Sequence, residues 1–159
     1  MKQYSFTGKN VLITGGISGI GFEAAKSFLE LGAKVIVTYK SKANYEKFRK
    51  YFSKFSMQVE QLDLTNDISI ENLTNKVNKL DILINNAVHL KGGIEYRIEN
   101  FADVVNVNLM GLMRICHIML PKLAITQGNI VNISSANTNI VFPNSPSYVA
   151  TKGGVDALT

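Results

Sequence analysis

Short runs of consecutive apolar residues recur along the chain at Val11-Leu12-Ile13, Val35-Ile36-Val37, Ile82-Leu83-Ile84 and Ile130-Val131-Asn132-Ile133. Runs without polar alternation suit strands that are covered on both faces, as in a parallel sheet. Between them, apolar positions recur at helical spacing over residues 20–31, 44–55, 68–77 and 101–120, and Gly32 offers the first of these helices a stop. The weaker stretch Met57-Gln58-Val59-Glu60-Gln61-Leu62 alternates apolar with polar, the pattern of an edge strand. Five strands joined by helical crossovers predict a doubly wound α/β architecture around a parallel sheet. No repeat, low-complexity tract or Pro/Gly/Ser-rich linker divides the 159 residues, so one domain over residues 1–159 is expected.

Composition narrows the classes. With 46% apolar residues the chain can bury a core. The single Cys116 can neither pair internally nor build a thiolate cluster, which points to a cytoplasmic protein. No apolar run approaches the roughly 20 residues that cross a bilayer. The opening Met1-Lys2-Gln3-Tyr4 leads into a strand and is no signal peptide, so a soluble chain is expected. The formal charge of +5 is concentrated between Lys34 and Lys54 and is read as lacking interleaved stacking aromatics, which argues for a solvated face and against nucleic acid. His89 and His117 have no partner at metal-ligand spacing, so no metal is expected, and Met110, Met113 and Met119 read as helix packing.

Candidate chemistry begins directly after the first strand, at Thr14-Gly15-Gly16-Ile17-Ser18-Gly19-Ile20-Gly21. Glycines between a strand and a helix permit a tight turn and close approach of a pyrophosphate, whose charge meets the free N–H groups of the helix. An ordinary glycine-rich turn is the competing reading. About 20 residues on, where an NAD-binding Rossmann unit places an acidic residue, the chain has Thr38-Tyr39-Lys40-Ser41. Lys40 can meet the 2′-phosphate of NADP and Tyr39 can flank the adenine; alternatively Lys40 begins a solvated, lysine-rich helix.

A second cluster lies near the end of the chain. Asn132-Ile133-Ser134-Ser135 leaves the last strand, and thirteen residues beyond Ser135, Tyr148 opens a helix with Lys152 one turn further. Residues four apart share a helix face, so the ammonium of Lys152 can sit beside the phenol. A phenol is a weak acid-base catalyst at neutral pH, and a neighbouring cation favours its ionised form. Ser135, at a strand's C-terminal end, can donate a hydrogen bond to a substrate oxygen that gains charge. Singly, these residues read as a loop hydroxyl, a helix-start aromatic and a surface cation.

Taken in order, Thr14-Gly15-x-x-x-Gly19-x-Gly21, Asn85-Asn86-Ala87, Asn108, Ser135 and Tyr148-x-x-x-Lys152 resemble the short-chain dehydrogenase/reductase family, from about Ser5 to Thr159. The resemblance implies hydride transfer between NADP(H), with NAD(H) as the other candidate, and a carbonyl or alcohol. The implied substrate chemistry is similar to that of 3-oxoacyl-carrier-protein reductases or glucose dehydrogenases. It implies a catalytic set of Asn108, Ser135, Tyr148 and Lys152. It implies a cofactor site of Thr14, Gly15, Ser18, Gly19, Ile20, Gly21, Tyr39, Lys40, Asp63, Leu64, Asn86 and Ala87, joined by Tyr148 and Lys152. In this family the lysine also holds the nicotinamide ribose, and Asn108 would help hold a water that links the lysine to solvent. Without the family, Asn108 reads as a satisfied core amide and Asp63 as a turn cap. A small-molecule substrate, no membrane partner, and a homo-oligomer once the fold is complete are also implied.

Two departures set expectations of their own. Val88 stands where the family has glycine, and a β-branched residue there would be strained if the position needed positive φ. The sequence ends seven residues after Lys152, whereas family members run to roughly 250 residues as one domain. The chain therefore reads as truncated. Truncation would expose the edge of the fifth strand, residues 129–134, and the core-facing side of the last helix, including Val155 and Leu158. A non-catalytic remnant that binds nucleotide, or associates with a full-length relative, is the alternative reading.

Overall fold

A computed structural model describes residues 4–140 and 143–159. Of the opening Met1-Lys2-Gln3-Tyr4, the first three residues lie outside the described residues. Strands β1 (Asn10–Ile13), β2 (Lys34–Tyr39), β3 (Gln58–Gln61), β4 (Ile82–Asn85) and β5 (Asn129–Asn132) form one sheet in the order β3-β2-β1-β4-β5. All four pairings are parallel, with Leu12 opposite both Ile36 and Leu83. This is the doubly wound Rossmann arrangement. The chain reverses direction across the sheet between β1 and β4, and the C-terminal ends of these two strands form a crevice.

The first three apolar runs serve both faces at once, whereas the fourth, at residues 130–133, has no fully buried residue. Val11, Ile13 and Ile84 pack with Ala25 of α1 (Gly19–Glu30) and Phe52 of α2 (Lys42–Phe52). Leu12 and Leu83 turn the other way, onto Ile70 and Leu73 of α3 (Asp67–Lys76) and Ile115, Met119 and Leu123 of α5 (Leu112–Thr126). Successive strand residues point to opposite faces, so a sheet covered by helices on both sides needs the uninterrupted runs seen in the sequence.

Some expectations are corrected by the packing. The helix expected over residues 101–120 is longer: α4 (Ile98–Val105), a π-turn (Asn106–Gly111) and α5 form one continuous helix, Ile98–Thr126, that runs through Pro121. It is long and apolar enough to cross a membrane by length and composition, contrary to the sequence reading, although Val104, Ile115 and Met119 on it are fully buried in this fold. The helix expected over residues 44–55 begins at Lys42, where the Ser41 side chain accepts the Asn44 N–H, and ends at Phe52. The cations of this helix and of the turn after it do interleave with rings, with Lys47 over Phe48, Lys50 over Tyr51 and Lys54 over Phe55 at 5.3, 5.0 and 5.7 Å from the ring centres. Of the three methionines assigned to packing, Met119 is buried while Met110 and Met113 are exposed.

At the far edge, Val131 of β5 is 43% exposed, as expected of an edge strand with a neighbour on one side only. The final helix α6 (Pro146–Leu158) lies across α4 and the π-turn, where Gly154 lets it approach Leu109. That contact leaves Val155 fully buried, against expectation, and only Leu158 half exposed.

Candidate active site

The glycine turn is fastened to both neighbouring strands. The Thr14 hydroxyl oxygen accepts the N–H groups of Asn86 and Ala87, each at 3.0 Å, which ties the end of β1 to the loop after β4. The Asn86 amide returns the contact by donating to the carbonyls of Thr14 (3.0 Å) and Gly15 (3.1 Å). On the other side, Thr38 at the end of β2 accepts the Gly15 N–H at 3.1 Å. Two glycines are required by geometry. Gly15 has φ +64° and a Cβ there would sit 3.0 Å from the Ala87 Cα, while a Cβ on Gly21 would overlap the Asn86 side-chain amide.

Above this turn opens a cleft of about 410 Å³. Its walls include ten of the expected cofactor residues: Gly15, Ser18, Gly19, Ile20, Tyr39, Lys40, Asp63, Leu64, Asn86 and Ala87. Thr14 and Gly21 are buried beneath it as supports. The N-cap Ser18 makes no side-chain cap bond and no acidic residue stands in the first turn of α1. The helix thus presents free N–H groups and its positive end to the cleft, as an anion requires.

Lys40 stands ahead of α2, on the cleft wall, and is not part of the solvated helix. Its ammonium lies 3.9 Å from the Asp63 carboxylate. Asp63 is the turn cap that the residue suggests without the family. It closes a turn by accepting the N–H (2.9 Å) and hydroxyl (2.7 Å) of Thr65, and it also faces the cleft. Burial works against its charge, but the Thr65 donors and Lys40 outweigh this and hold its carboxyl below the ordinary range. Val88 lines the same cleft without positive φ; among the described non-glycine residues only Gln127 and Asn144 have it. The substitution of valine for glycine is therefore accommodated without backbone strain.

Asn108 is buried in the π-turn, and its amide is fully engaged. Its oxygen accepts the His89 N–H at 2.7 Å, and its nitrogen donates to the His89 carbonyl (3.0 Å) and the Thr151 hydroxyl (3.4 Å). The core-amide reading thus describes its contacts. π-turns within α-helices frequently mark functional sites. Ser135 caps the short turn Ala136–Thr138 by accepting the Asn137 N–H at 3.2 Å. Lys152 is buried, its ammonium donates to the Ile133 carbonyl, and it lies 5.8 Å from the centre of the Tyr148 ring. Burial pushes the Lys152 ammonium below its ordinary pKa, with Asp156 partly opposing. Ser135, Tyr148 and Lys152 are gathered at the C-terminal end of β5 but do not line the cleft itself.

The sequence reading missed several participants. Thr38 supports the glycine turn, and Asn44, Phe48, His89 and Val107 line the cleft. Burial, together with the charges of Lys40 and Lys91, lowers the pKa of His89, so a neutral imidazole faces the site. Glu95 is fully buried against the first turn of α6. The sequence carried a trace of this last contact: Pro146 and Ser147 open a helix with no acidic residue in its first turn, so its N–H groups need an acceptor from elsewhere.

A parallel sheet with a glycine turn at the β1/β4 crevice defines a nucleotide-binding α/β protein. The profile of the short chain dehydrogenase family matches residues 9–159, and the chain belongs to that family. An uncharacterized oxidoreductase of Staphylococcus haemolyticus is 30% identical over 155 residues, a match covering 93% of this chain and 67% of the relative. The L-fucose dehydrogenase of Mus musculus is 32% identical over 161 residues, covering 97% and 58% respectively. Among solved structures, a single-residue variant of actinorhodin polyketide ketoreductase with NADPH superimposes with a TM-score of 0.85 at 29% identity, over 95% of this chain and 62% of that one. The chain thus spans 58% to 67% of the length of these two curated relatives.

Proposed function

We propose that this chain is the nucleotide-binding and catalytic part of an oxidoreductase that moves a hydride between NADP(H) and a carbonyl or alcohol. The observation carrying the proposal is the uncapped N-terminus of α1, opening on a cleft whose floor is packed so closely that a side chain at Gly15 or Gly21 would run into Ala87 or Asn86. A dinucleotide fits these residues: its pyrophosphate at Ser18, Gly19 and Ile20, its adenosine between Tyr39, Asp63, Leu64 and Ala87. When bound, the nicotinamide supplies or accepts the hydride.

The residues around it divide the remaining work. The Tyr148 phenol gives its proton to the carbonyl oxygen as charge develops there, or takes it back from an alcohol. The Ser135 oxygen is already an acceptor for Asn137, which leaves its proton for the same substrate oxygen. Lys152 spends one of its three donors on Ile133 and keeps the others for the cofactor ribose and the field at Tyr148. Asn108 supports this set by locking the π-turn to His89 and Thr151. Lys40, in place of the usual acidic residue, favours NADP(H) over NAD(H). L-fucose and a polyketide figure in the names of the similar proteins. Both support a substrate that reacts at a hydroxyl or carbonyl carbon.

The test is a titration with NADPH and NADH by fluorescence or calorimetry, on the chain and on Lys40→Ala. NADPH is expected to bind the more tightly. Lys40→Ala is expected to weaken NADPH by about tenfold, as loss of one charge-assisted contact does, and to leave NADH almost unchanged. Equal loss for both nucleotides would refute the cofactor assignment. Failure of both nucleotides to bind would refute the site.

A further inference from the structure

We propose that Glu95 is a positioning residue that sets the rotation and height of the helix carrying Tyr148 and Lys152. The proposal rests on the reading above that Lys152 holds the cofactor. Glu95 is fully buried, and among the described residues no cation pairs with it. A lone buried carboxylate is costly, so its partners must stabilise the charge. One oxygen accepts the Ser147 hydroxyl at 2.6 Å and the Tyr148 N–H at 3.1 Å, and the other accepts the Lys91 N–H at 3.0 Å. Ser145 makes no side-chain cap of α6, so Glu95 takes the place of a cap and meets the positive end of the helix. These donors outweigh burial and keep the carboxyl ionised below its ordinary pKa.

The geometry explains why such a group would be kept. The loop after β4 and the π-turn each touch α6, at points one turn apart. Glu95 holds Ser147 and Tyr148, while Asn108, itself clamped to His89, reaches Thr151. Two fixed points on adjacent turns determine both where a helix lies along its axis and which way its side chains face. Tyr148 is one of those points, and Lys152 follows Thr151. Catalytic groups need placement to about 0.5 Å, so an anchor at the helix start bears directly on both. Glutamine cannot substitute, because each carboxylate oxygen receives a main-chain N–H and an amide would turn a donor toward one of them.

A double-mutant cycle on NADPH affinity tests the idea, with the complete protein carrying Glu95→Gln, Lys152→Met, both, or neither. Glu95→Gln is expected to weaken NADPH by about fivefold when Lys152 is present and by less than about twofold when it is methionine, because its effect passes through Lys152. Equal weakening in both backgrounds, or none in either, overturns the positioning role and leaves the cofactor reading intact. Lys152→Met binding like the parent instead overturns the cofactor reading, and the proposal with it. Ser147→Ala, which spares both main-chain bonds to Glu95, repeats the cycle at smaller amplitude should Glu95→Gln fail to fold. An additive result there overturns the proposal equally.

Discussion

At the scale of single residues, the glycine turn shows how one atom can decide a site. A Cβ on Gly21 would displace the Asn86 amide from the Thr14 and Gly15 carbonyls, and those bonds shape the cleft floor. Gly21→Ala is expected to cost about 1–3 kcal/mol of stability and to weaken NADPH binding in the same protein. A thermal melt together with a nucleotide titration checks both, and an alanine variant indistinguishable in each would show that the loop absorbs the methyl. The sequence made this turn readable because its glycines all fall within one short segment, residues 15–21. Glu95 and Thr38 were hard to read for the opposite reason: their partners, Tyr148 and Gly15, lie 53 and 23 residues away. The start of α6 shows that an acceptor is needed but not which residue supplies it.

At the scale of elements, the strands were the most legible parts, since burial on both faces leaves no polar alternation to misread. Helix ends were harder. Residues 101–120 fall short at both ends: the helix starts at Ile98, and although a proline normally clashes with the preceding turn, α5 continues through Pro121 to Thr126. The true stop is Gln127, left-handed at φ 52°, followed by a Gly128 N–H that closes on the Leu123 carbonyl at 2.8 Å. That position favours glycine. Gln127→Gly is expected to stabilise the protein by about 1 kcal/mol, the cost of placing a side chain in the left-handed region, and urea unfolding measures it. A lower midpoint for the variant would mean that the Gln127 side chain contributes more than its backbone strain removes.

At the scale of the whole molecule, two buried carboxylates join distant parts of the chain. Asp81 receives the Asn10 N–H (2.9 Å), the Asn10 amide (3.0 Å) and the Lys9 ammonium (3.2 Å), holding β4 to the start of β1. Glu95 holds the loop after β4 to α6. Burial opposes the charge of each, but the donors prevail and both titrate below their ordinary values of 3.8 and 4.5. A carboxyl with a lowered folded pKa contributes stability above its unfolded value and loses it as pH falls through the folded one. The melting temperature is therefore expected to stay level down to about pH 5 and then fall, less steeply in Asp81→Asn; an equally steep fall in that variant would assign the acid sensitivity elsewhere. The doubly wound parallel sheet followed from the apolar runs and the helical spacing between them, whereas the burial of Val155 did not, because it depends on α6 crossing α4 and the π-turn. That π-turn also has a meaning for descent. Each residue of an α-helix advances its successor by about 100°, so the wider turn at Asn106–Gly111 shifts everything after it out of phase with everything before. Losing one residue there would restore regular winding and swing either Val104 or Ile115 out of the core. Lineages carrying this fold should accordingly tolerate exchange of residue types in that stretch far more readily than any change in its length.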